Sequence, residues 1–192
     1  MFRRRLVSPL LKKVCMEATT PGSLSTFAFL TVLEIPQVGY CGGMLVLNQW
    51  GRPVEFHCSA PVNPTRTQEI LFGSTLKAFL FSEQIASALL EQTKKRPQLI
   101  LVDQPQLLDF HAQTEVPLLL VSREDHPLPT RLWNGKVSVP RRVDEWQLIA
   151  VVALGNEAPV LAAAQDFSEQ LPLDEPFERI RNAIDEAHAV TR

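Results

Sequence analysis

Three acidic residues stand where carboxylates can do chemistry: Glu34 closes an apolar run, Glu83 lies inside a long helical stretch, and Asp103 ends the continuous run Leu99-Ile100-Leu101-Val102. Carboxylates that converge at the ends of central strands hold hard cations, because magnesium and manganese select oxygen ligands, and such a cation activates water for attack on phosphorus. Each acid also has an ordinary structural use. Glu83, just after Ser82, suits a helix first turn or a solvated face. Asp103, ahead of Pro105, can cap the following turn through its side-chain oxygen. Glu34, before Ile35-Pro36, can be an exposed strand terminus. Both readings stay open at the level of sequence.

The surrounding elements decide whether the acids can meet. Thr26 to Leu33 is β-branched and aromatic, which predicts a buried strand ended by Pro36. Gly43 to Leu47 and Val54 to Ser59 predict a hairpin across Trp50-Gly51, and Tyr40-Cys41-Gly42-Gly43 reads as a flexible loop ahead of it. From Ser74 to Arg96 there is neither proline nor glycine, and Leu76, Phe79, Leu80, Ile85, Leu89 and Leu90 recur at near-helical spacing, predicting a long helix broken near Ser82. Leu99 to Asp103 has the pattern of a parallel strand buried on both faces. A short helix over Gln106 to Gln113 leads to a fifth strand at Pro117 to Val121.

That order predicts an α/β domain with a mixed sheet of about five strands, a hairpin on one side and crossover helices on the other, as in the ribonuclease-H-like architecture. Residues 1–22 form a basic N-terminal arm, 23–123 the α/β domain, and 124–192 an acidic, helical C-terminal extension. Within the extension Trp146 to Leu154 is apolar throughout and suits a buried helix or a strand, helix being the preferred reading. Phe177, Ile180, Ala183, Ile184 and Ala187 form the apolar stripe of a last helix.

From Phe27 to Val121 the layout resembles the endonuclease V family of metal-dependent nucleases. Leu80-Phe81-Ser82-Glu83, a helix, and then Pro97-Gln98-Leu99-Ile100-Leu101-Val102-Asp103 are similar to that family's Phe-Arg-Glu segment, helix and strand ending in Asp-Gly-x-Gly. The resemblance implies that Glu83 and Asp103 are ligands of magnesium or manganese, that Glu34 stands where the family has a first-strand aspartate, and that His188 sits loosely where it carries a histidine or acid. The departures fall on the same positions. Ser82 replaces the arginine, Gln104-Pro105-Gln106 replaces the glycine-rich turn, and the family's strand-separating wedge is not recognisable between Asn63 and Leu80.

Composition narrows the rest. With 192 residues, 45% of them hydrophobic, the chain is long enough to bury a core without staples. Residues 1–143 carry 16 basic and 11 acidic groups, whereas residues 144–192 carry 3 and 10. The basic cluster Arg3, Arg4, Arg5, Lys12 and Lys13 suits phosphates, anionic lipid head groups or a solvated arm. No apolar run is long enough for a membrane span, no secretory signal is read, and three cysteines without CxxC spacing suit a reducing, cytoplasmic setting. Cys41 and Cys58 would face each other only if the hairpin turn centres between Gln49 and Trp50. Signatures of serine hydrolases, nucleoside-triphosphate, dinucleotide and zincin sites are absent. Two readings follow: a metal-dependent phosphodiester hydrolase acting on nucleic acid with Glu34, Glu83 and Asp103 as catalytic ligands, or a non-catalytic interaction protein of degenerate ribonuclease-H-like fold that meets a partner through its basic arm or acidic tail.

Overall fold

Strand β1 (Thr26–Ile35) is buried along most of its length, and the rest of the molecule is arranged around it in a computed structural model that describes residues 26–123, 141–143, 145–151 and 157–189. The basic arm, Cys15 and His126 lie outside the described residues. On one side β1 pairs antiparallel with β2 (Gly39–Asn48), which pairs antiparallel with β3 (Pro53–Cys58). On the other it pairs parallel with β4 (Leu99–Val102), and β4 with β5 (Leu118–Arg123). The sheet continues antiparallel through β7 (Trp146–Val151) to β6 (Arg141–Val143), so seven strands run in the order β3-β2-β1-β4-β5-β7-β6.

Two strands more than the sequence predicts come from the C-terminal third. Trp146 to Val151, expected as helix, is a strand because a short, wholly apolar run has no period of its own and pairing with the open edge of β5 decides it. The C-terminal third is therefore no appendage. It supplies β6, β7 and the helices α4 (Glu157–Ser168) and α5 (Glu175–Ala189), which cover one sheet face.

Alternation along the strands sorts side chains between two cores. Phe27, Phe29, Leu99, Leu101, Leu119 and Val121 pack under α4 and α5, where the Phe29 ring meets Phe177 edge-on at 5.3 Å. Ala28, Leu30, Val32, Ile100, Val102 and Leu120 face the opposite layer. That layer holds α1 (Arg66–Phe72), α2 (Leu76–Phe79), a π-helical turn at Leu80–Ala86, α3 (Ser87–Gln92) and a 3-10 helix at Pro105–Ala112. The expected break in the long helix is this π turn, where the Ser82 carbonyl accepts from both the backbone N–H and the hydroxyl of Ser87.

Tyr40 to Gly43, expected as a loop, lies inside β2. Its glycines serve packing: a Cβ on Gly42 would overlap Ile85, and one on Gly43 would overlap Ile180 of α5, so adjacent glycines let both helical layers approach the same strand. The hairpin register places Gly43 opposite Cys58, with a shift between Val46 and Leu47, so Cys41 and Cys58 are both free thiols.

Candidate functional site

Asp103 follows the last residue of β4. The parallel register sets Leu30 beside Val102, so the next step along both strands puts Thr31 beside Asp103 on the face covered by α5. The Thr31 hydroxyl donates to Asp103 Oδ2 at 3.0 Å, and the Arg181 guanidinium, reaching down from α5, donates to the same oxygen. Oδ1 is buried and takes no hydrogen bond from another residue. Burial pushes the Asp103 carboxyl above its ordinary range, while Arg181 and Thr31 pull it back towards ionisation. Gln104 extends the arrangement: its side chain accepts from the Val32 N–H (3.0 Å) and donates to the Val32 carbonyl (2.8 Å), so an amide continues the strand pairing that β4 has just left.

A cleft of about 250 Å³ opens at this end of the sheet. Its walls carry Asp103, Asp174, Glu178 and Arg181, together with Ser122 and Arg123 at the carboxyl end of β5 and Trp146 at the start of β7. The guanidinium of Arg123 stands 5.3 Å from the centre of the Trp146 ring, with Arg123 exposed and Trp146 half-buried. Ligands of open α/β sheets bind outside the carboxyl ends of the parallel strands, which is where this cleft lies.

The three acids singled out by sequence are not gathered there. Glu34 points to the other sheet face, because it alternates with Leu33 and Ile35 of the core under α5, and it pairs with Lys77 of α2 at 3.1 Å. That bond raises the Lys77 ammonium above its usual range. Glu83 is exposed on the π turn and lines a separate shallow cleft with Asp109 and His111. Only Asp103 reaches the cleft at the strand ends. Among the described residues no group of three or more His, Cys, Asp or Glu side chains could hold a metal ion. The donor set at Asp103 does not fit a divalent metal either, since Oδ2 already serves Thr31 and Arg181 and Oδ1 is buried.

Sequence reasoning passed over Thr31, Gln104 and Arg181. Thr31 is a polar residue alternating with Phe27 and Phe29, and Arg181 lies four residues after Phe177, at the edge of the apolar stripe of α5. A polar residue in each of two packed apolar surfaces was the signal that they meet.

No protein-family profile and no curated protein matches this chain in sequence. Solved structures do match its three-dimensional arrangement. The catalytic domain of human endonuclease V superposes with a TM-score of 0.55 at 14% identity, covering 88% of this chain and 85% of that one. A Ciona intestinalis endonuclease V variant, in complex with a 23mer DNA containing an inosine followed by a ribo-adenosine, gives 0.54 at 9% identity over 86% of this chain and 87% of that one. The chain has the ribonuclease-H-like fold of endonuclease V. No helix of the described residues is long and apolar enough to cross a membrane.

Proposed function

We propose that the protein binds nucleic acid on a nuclease scaffold without the metal-dependent cleavage of that scaffold. The observation that carries this reading is the state of Asp103: the acid at the end of β4 is engaged by Thr31 and Arg181, and the two other candidate acids lie elsewhere. Fold likeness to endonuclease V structures, one of them holding DNA, supports nucleic acid as the partner class. Arg123 over Trp146 supplies a suitable platform at the cleft rim, where an aromatic face stacks a base and a guanidinium meets phosphate. The acids Asp174 and Glu178 keep phosphate away from the cleft floor, so contact belongs at that rim.

Hydrolysis of a phosphodiester through magnesium or manganese on Glu34, Glu83 and Asp103 is the second reading, favoured by the same fold likeness, and it requires the three acids to regroup. One experiment separates the two. Anisotropy titrations of labelled single-stranded and duplex DNA and RNA, at two salt concentrations, are followed by incubation of the same samples with manganese. Salt-sensitive binding that weakens roughly tenfold in Arg123→Glu, with the polymer left intact, is expected. Polymer cut in a manganese-dependent way would establish the hydrolase instead, and absence of salt-sensitive binding would overturn both.

A further inference from the structure

We propose that Arg181 is the resident cation of the cleft: its guanidinium holds the place at Asp103 that a divalent ion would need, so this end of the sheet is metal-free by construction. The proposal deepens the binding reading above, and it is tested through metal binding, which can fail independently of nucleic-acid binding.

Three observations carry it. First, the side chain of Asp103 is only 13% exposed, and a carboxylate so placed must be paired with a cation or become neutral. The cation present is part of the chain. Second, the pair is built into the fold from both sides. Thr31 of β1 fixes Oδ2 from within the sheet, and α5 is seated by Phe177 against Phe29 and by Ile180 against Gly43, so Arg181 is delivered to the carboxylate by a packed helix. Arg179, two residues earlier, is spent elsewhere, on Glu175 and the Gly51 carbonyl. Third, the cleft has other carboxylates, Asp174 and Glu178, on the wall that carries Arg181. With Arg181 in place, three carboxylates meet two cations at this cleft. Without it, Arg123 would be the cation left among the described residues that line it.

A divalent ion therefore competes with a tethered guanidinium, whose effective concentration at Asp103 is on the order of millimolar or above. The other two named acids offer the ion no compensation, since Glu34 and Glu83 lie on the far side of the sheet or at its surface.

The test is calorimetric titration of manganese into the full chain and into Asp103→Asn, Arg181→Gln, Arg181→Lys and the double variant Arg181→Gln with Asp103→Asn. The wild type and Arg181→Lys should show no saturable manganese binding at the cleft, Arg181→Gln should gain it, and the double variant should lose that gain. Manganese binding by the wild type that disappears in Asp103→Asn overturns the proposal, as does an Arg181→Gln protein no better at binding than the wild type. Should Arg181→Gln not fold, low-millimolar guanidinium, compared with the same concentration of sodium, decides the matter: recovery of the folded circular-dichroism signal supports a cation site, and failure to recover overturns it.

Discussion

Glu55 and Asp103 do the same mechanical job on opposite faces of one sheet and are treated in opposite ways. Glu55, on β3, clamps the segment leaving α3: Oε1 accepts the Lys95 N–H and Oε2 the Lys94 N–H, both at 2.9 Å, and His57 adds a bond to Oε2 at 3.1 Å. Every oxygen is used, and the His57 bond, reinforced by the two backbone donors, holds the carboxyl below its usual range. Asp103 clamps α5, but both donors crowd onto Oδ2 while Oδ1 has none from another residue, and burial raises its carboxyl. A carboxylate with all its bonds made is a fastening. One left half-satisfied, at the carboxyl end of a parallel strand, is a place where an open α/β sheet can take a ligand.

The largest effect tests whether clamps or packing hold the helices. Gly43→Val drives a branched side chain into Ile180 of α5, and Gly42→Val does the same to Ile85 on the other face, each costing about 3 kcal/mol by overpacking. Asp103→Ala leaves Arg181 without its partner. Because Arg181 is itself 39% exposed and burial already opposes the Asp103 charge, the expected loss is below about 1 kcal/mol. Urea denaturation of the three variants checks the order. A larger loss in Asp103→Ala than in Gly43→Val would make the ion pair, and not the glycine contact, the main fastening of α5.

The same contrast explains what could be read without coordinates. The hairpin, the crossover to β4 and the helical break at Ser82 follow from local patterns, apolar alternation and the placement of proline, and these fixed the ribonuclease-H-like architecture. β7 escaped because a run such as Leu148-Ile149-Ala150-Val151 becomes a strand only when an edge is available to pair it. Gly42 and Gly43 looked like a loop because the reason for them lies on two helices far away in sequence. Of the three acids singled out, the structure brings one, Asp103, to the cleft at the strand ends. Asp103 announces itself by following an apolar strand, whereas Glu34 fails on parity: one residue's shift along β1 carries a side chain to the opposite face. Arg181, the residue that changes the meaning of Asp103, is 78 positions away, and no spacing rule links them.

The smallest effect is also the one that compares the two carboxylates most directly, through the pH dependence of stability. The folded-state pKa of Glu55 is lowered, so its contribution is complete above the unfolded value of about 4.3 and is lost as pH falls through the folded one. Asp103 runs the other way. Its folded pKa is raised, so the folded state holds the proton more strongly than the unfolded chain does, and its contribution is greatest below about 3.9 and fades as pH rises through the folded value. Between pH 6 and pH 3, Glu55→Gln should therefore flatten the fall in Tm, because a group that loses its clamp on acidification has been removed. Asp103→Asn should steepen it, because a group that gains from protonation has been removed. Thermal melts of both variants across that range give the answer: slopes that change in the same direction would mean that Arg181 outweighs burial at Asp103, leaving two clamps of one kind.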